Sequence, residues 1–94
     1  MKDLRETVEH MTSSDYKERF KAEYWQTKIR YEKLKALNTR IEAANACAPN
    51  FGMNFEVPIY DCPDFVLRDQ QRVMGEYLHM LELRAIIEGI DIDE

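Results

Sequence analysis

Three glycines, three prolines, two cysteines, two histidines and one tryptophan are all that the 94 residues hold of these types. Each scarcity excludes something. With no CxxC pair and only His10 and His79, a structural zinc site is not expected. Cys47 and Cys62 flank a central loop, and a disulfide between them is geometrically conceivable. Free thiols are the expectation, because no export signal precedes them. No apolar run is long enough to span a bilayer, and the first stretch, MKDLRETVEHM, is charged throughout with no signal-peptide core. A protein that stays in the cytoplasm of the cell that makes it, without membrane contact, is therefore expected. Catalytic constellations are missing too: no nucleophile stands beside a credible base, and no Walker loop or zinc-hydrolase motif occurs. The chain reads as a binder and not an enzyme.

What is present is uneven. The chain carries 13 basic and 18 acidic residues, net −5, yet residues 16–35, YKERFKAEYWQTKIRYEKLK, hold seven of the basic residues against three acidic ones. The same stretch holds Tyr16, Phe20, Tyr24, Trp25 and Tyr31, half of the aromatic residues. Blanket DNA or membrane binding calls for a basic domain overall. A local basic, aromatic patch on an acidic body suits a compact anionic ligand instead. The competing reading is a helix whose aromatics are core and whose lysines are solvated.

The length allows a single domain over residues 1–94, and the high charged fraction with ordinary hydrophobic content points to a helix-rich chain. Residues 2–11 are compatible with a short helix. TSSD then reads as a helix start, with Ser13 or Ser14 as cap and Asp15 at the positive end of the dipole. From about residue 14 to about 44 no glycine or proline intervenes, and Phe20, Tyr24, Thr27, Tyr31, Leu34 and Ile41 form a heptad stripe with polar Asn38 in its gap. A loop over about 45–62 follows, in which FEVPIY is strand-like but limited by its proline to an edge or an extended loop. The second helix, about 63–88, opens with Asp61 as cap and Pro63 in its first turn; Gly89 stops it. Leu67, Met74, Leu78, Leu81 and Ala85 are its apolar stripe.

The expected fold is all-α: an antiparallel helical hairpin with a short N-terminal helix, its helices about 45 and 37 Å long. Two such helices each cover one face of the other. Trp25, Ile29, Leu37, Val73 and Ile87 stay partly exposed in one copy, so a symmetric homo-oligomer is expected.

Lys21, Lys28 and Lys35 recur every seventh residue along one border of the stripe, either shielding an interface with their stems or acting as phosphate ligands. Tyr16 lies in the first helical turn, where free backbone N–H groups favour an anion and a tyrosine ring can stack on a base. Glu76-Tyr-Leu-His79 matches one element of di-iron bundles but lacks the further carboxylates such a site needs. His79 is expected at a packed or interfacial position.

DYKERFKAEYWQTKIRYEKL and QQRVMGEYLHMLELRAIIEGID resemble the two helices of phage cyclic-nucleotide sponges. These are the type 2 anti-CBASS proteins, whose hairpin is shared with type 1 anti-Thoeris proteins. The matching residues are Asp15-Tyr16, Arg19-Phe20, Ala22-Glu23-Tyr24 and Arg30, then Gln71, Met74, Tyr77, Leu81-Glu82, Arg84-Ala85 and Glu88-Gly89-Ile90. The resemblance implies a compact helical homohexamer that binds cyclic oligonucleotides without cleaving them, needs no cofactor, and so blocks CBASS signalling. Cyclic dinucleotides would sit between paired chains, with Tyr16 as base stacker, Lys28 as phosphate ligand, and Arg19 and Lys21 in support. Cyclic trinucleotides would take separate pockets formed by Arg68, Arg72 and Arg84 with Arg30 or Thr27 opposite. An anti-Thoeris sponge for cyclic ADP-ribose isomers and a helical adaptor for a protein partner are the alternatives.

Overall fold

The computed structural model describes residues 1–47 and 59–93. A 3-10 turn, Leu4–Thr7, runs into a short helix α1, Val8–Met11; two long helices follow, α2 over Tyr16–Cys47 and α3 over Asp64–Glu88. Among the described residues there is no strand. The FEVPIY segment, expected as an edge or an extended loop, lies almost wholly outside the described residues. Cys47 and Cys62 are free thiols.

Both helix starts differ in detail from the sequence reading. Asp15 itself caps α2: its carboxylate accepts from the Lys17 N–H at 3.0 Å, while the Ser13 hydroxyl accepts from the Asp15 N–H at 3.0 Å. At α3 the cap position belongs to Pro63, without any side-chain cap; its carbonyl accepts from Val66 and Leu67. The φ of −54° fixed by the Pro63 ring and its extended ψ of 141° set the helix entry, and Asp61 makes no cap bond. The C-terminus of α3 follows expectation. Gly89 takes φ +70°, the left-handed conformation that favours glycine, and the Ile90 N–H reaches back to the Ala85 carbonyl at 2.8 Å.

The two long helices pack along their heptad stripes. Phe20 and Tyr24 of α2 meet Leu78, Leu81 and Ala85 of α3, and the tail folds Ile90 back into the same cluster, with Trp25, Tyr31 and Ile92 at its margin. Nearer the loop end, Ile41 and Ala44 are buried. Gly75 faces the Tyr31 ring, which a Cβ there would meet in ordinary contact at 3.4 Å. Asn38, the polar residue in the stripe, is buried and donates through Nδ2 to the Leu67 carbonyl at 3.1 Å and to Gln71 Oε1 at 2.9 Å.

The hairpin leaves one face of α3 bare. Val66, Val73, Met80 and Ile87 recur every seventh residue and all are exposed, Ile87 to 79%, with Tyr77 between them. This stripe sits one residue behind the half-buried Leu67 and Met74 and the buried Leu81. One flank of α2, by contrast, is covered by the N-terminal segment: Gln26 Nε2 donates to the buried Thr7 hydroxyl at 3.0 Å, and His10 pairs with Glu18 through Nδ1.

Candidate functional site

The first turn of α2 lies beside the last turns of α3, since the helices run antiparallel. That juxtaposition places Tyr16 and Arg84 in contact. Arg84 Nη2 donates to the Tyr16 hydroxyl at 2.5 Å, its guanidinium lies 4.9 Å from the centre of the Phe20 ring, and Nε donates to Glu88 at 3.3 Å. Tyr16 and Phe20 are tilted rings 6.3 Å apart. The hydrogen bond to Glu88 pushes Arg84 above its ordinary value, so it is a fixed cation. Tyr16 is half-exposed. A cation, an aromatic face and the positive end of a 32-residue helix thus share one exposed corner.

The sequence reading assigned Tyr16 and Arg84 to two different pockets; in one chain they form a single cluster. Conversely, Lys28 stands more than three turns beyond Tyr16, about 18 Å along the axis. One compact ligand reaches both only if the two come from different copies. Of the supporting residues, Arg19 is engaged at the helix start, with Nη1 donating to the Ser13 carbonyl at 2.9 Å. Lys21 is largely covered and pairs with Glu18 at 3.5 Å, beside His10. Lys28 pairs with Glu32 at 3.2 Å.

The other assigned residues are dispersed. Thr27 is half-buried and its hydroxyl donates to the Glu23 carbonyl one turn back, while Arg30 is exposed. Arg68 and Arg72 are exposed on α3 and paired with Asp64 and Glu76, each at 3.0 Å. Arg72 and Arg84 are again about 18 Å apart along their helix. Arg68 borders a cavity of about 400 Å³ at the loop end, together with Asn38, Ile41, Glu42 and Asp64. Glu76 is taken by Arg72, and His79 is exposed in the single chain, which leaves the interfacial one of the two positions expected of it.

Several residues that carried the resemblance turn out to bind the helices together. Tyr24 donates to Glu82 across the hairpin at 3.1 Å, and Tyr77 donates to Glu23 in the opposite sense. Burial first, then the Glu82 carboxylate, push the Tyr24 phenol up to about 12. Nothing in the heptad spacing marks these reciprocal tyrosine–carboxylate bonds, because each pair joins residues more than 50 positions apart.

Residues 14–87, most of the chain and all the elements of this corner but Glu88, match the model of the Sequestin family. The chain belongs to that family. Its name denotes sequestration of a ligand, a binding role rather than a catalytic one. Neither the curated proteins nor the solved structures contain a match. The framework is thus a sequestering hairpin of two helices. Among the described residues no helix is long and apolar enough to cross a membrane.

Proposed function

We propose that this chain binds cyclic oligonucleotide second messengers and withholds them, unchanged, from the effectors of CBASS antiphage defence. The observation that carries the reading is the Tyr16–Arg84 corner. A guanidinium for a phosphate, rings for a base and a helix N-terminus for negative charge meet there on an otherwise acidic protein. Membership of a sequestering family supports binding without turnover, and the likeness to anti-CBASS sponges supports the class of ligand.

Assembly belongs to the same proposal. The bare stripe Val66–Val73–Met80–Ile87 has the spacing of a helix-packing seam, and its burial against other copies would remove an apolar face from water. The roughly 18 Å between Tyr16 and Lys28 gives oligomerisation a role in binding, since antiparallel neighbours could bring Tyr16 of one copy to Lys28 of another. The hexamer implied by the resemblance is the assembly we favour.

The deciding experiment is mass spectrometry of material released by heating the protein after exposure to cyclic di- and trinucleotides. Intact cyclic ligand is expected. Recovery of linear nucleotides would replace a sponge with a phosphodiesterase, capture of cyclic ADP-ribose isomers alone would move the protein to Thoeris signalling, and release of no nucleotide would favour the adaptor.

A further inference from the structure

The N-terminal segment travels antiparallel to α2. His10 meets Glu18, Thr7 meets Gln26, and Lys2 arrives beside the next turns of the helix. There Trp25, Lys28, Ile29, Glu32 and Lys33, at positions i, i+3, i+4, i+7 and i+8, form one face of α2 and line with Lys2 a groove of about 350 Å³. Three lysines against one glutamate give this groove a net charge of +2, on a chain whose total is −5.

Its aromatic wall is fixed in place. Trp25 donates its indole N–H to the Ile92 carbonyl at 2.8 Å and meets the Tyr24 ring edge-on, with centroids 5.4 Å apart and planes at 87°. A ring held at its polar edge and along one side is preorganised to receive a planar group on the surface left over. Lys2 and Ile92 both lie outside the family match over residues 14–87. Residues from outside the matched range, at both ends of the chain, therefore reach the same stretch of α2.

We infer that this groove is a nucleotide subsite, in which a base packs on Trp25 and Ile29 while Lys2, Lys28 and Lys33 hold its phosphate. The inference rests on the sequestration reading for its ligand class and adds Lys2, Trp25 and Lys33 to the residues that reading uses. The volume lies at the small end of ligand sites, about 300–1,000 Å³, and so suits one nucleotide unit of a cyclic ligand. Lys28 already pairs with Glu32, which orients its ammonium group beside the groove; Lys2 and Lys33 supply the charge that Glu32 does not cancel.

Trp25 is the sole tryptophan, so its fluorescence reports on the groove directly. Wild type, Lys2→Glu, Lys33→Glu and, as a charge-matched control outside the groove, Lys35→Glu are titrated with cyclic di-AMP, cyclic di-GMP, cyclic tri-AMP and AMP. Fluorescence and calorimetry are read in parallel, and circular dichroism checks that each variant is folded. Quenching of Trp25 is expected, with affinity falling about tenfold or more in Lys2→Glu and Lys33→Glu and less than threefold in Lys35→Glu, a contrast of about 1.4 kcal/mol per decade. Calorimetric binding of a cyclic ligand with unchanged fluorescence, or with equal losses in all three variants, overturns the groove and leaves sequestration standing. Quenching by AMP alone, sensitive to Lys2→Glu, keeps the groove and removes the cyclic-messenger reading. Silence with every probe overturns both.

Discussion

Tyr16 and Arg84, 68 positions apart in the chain, are joined by a hydrogen bond of 2.5 Å at the exposed corner where α2 begins and α3 ends. The bond makes a stacking ring and a phosphate-seeking cation one unit. Substitutions within a unit are not additive. Tyr16→Ala and Arg84→Ala are each expected to weaken binding of a cyclic dinucleotide by roughly tenfold to a hundredfold, from about 1–3 kcal/mol for stacking and 1.5–3 kcal/mol for a charged contact. The double variant should lose less than the product of the two factors. Calorimetry on the four proteins checks this, and full additivity would mean that the two residues serve separate pockets.

Lys28→Ala is expected to weaken the same ligand by a comparable factor only while the protein is assembled, because Lys28 reaches the Tyr16 corner of another copy. Dilution below the association threshold should weaken binding in wild type to what the groove of a single chain retains. Binding by a monomer as tight as by the assembly, detected by light scattering beside calorimetry, would show that one chain encloses its ligand unaided.

Assembly itself should depend on the bare stripe of α3. Val73→Glu and Ile87→Glu place a charge on residues exposed to 51% and 79% in the single hairpin, so the helices should still form. The expected outcome is an unchanged helical signal with a shift to smaller species in light scattering. An unchanged mass in both variants would place the interface on another face.

Asn38 is the polar interruption in the core, and its Oδ1 is buried with no hydrogen-bond partner among the described residues. Removing one partner of a buried hydrogen bond leaves the other unsatisfied, at a cost of about 1–3 kcal/mol. Asn38→Leu deletes the orphaned oxygen but also both Nδ2 bonds, and Gln71 Oε1 and the Leu67 carbonyl lose a donor. The unfolding midpoint should therefore fall, and the double variant Asn38→Leu/Gln71→Leu should recover part of the loss. Thermal melts check this; a single variant at or above the wild-type midpoint would show that the orphaned oxygen outweighs both Nδ2 bonds.

Two carboxylate contacts predict opposite pH limits. Glu18 is held below the usual carboxylate range, chiefly by its hydrogen bond with His10, so its contribution is present above its unfolded value and is lost as pH falls through the depressed one. Docking of the N-terminal segment should weaken at acid pH, read as faster amide exchange at residues 4–11. Tyr24 is raised to about 12, so its contribution is whole below its unfolded value near 10 and disappears as pH climbs to 12. Ultraviolet titration should show one late phenol that is absent in Tyr24→Phe. That variant should also lose about 1.5 kcal/mol at neutral pH with the Glu82 bond.

The sequence by itself determined the two helices, the faces they turn to each other and the stop at Gly89. These follow from local rules: a heptad period, missing breakers and a left-handed glycine leave few other arrangements. The concentration of charge and rings between Tyr16 and Lys35 is likewise a property of the sequence alone, and marks the helix to which we assign binding. Only the tertiary structure decided which of those groups meet. Arg84 came to Tyr16 rather than to Arg72 because antiparallel packing brings opposite ends of the chain's helices together, while a single helix holds its own residues at 1.5 Å apiece. Asp15 displaced Ser13 as the cap of α2, a choice between neighbouring side chains that differ only in reach. The docking of Lys2 and Ile92 around Trp25 had no periodic signal at all, since it depends on where two non-helical ends cross a helix face.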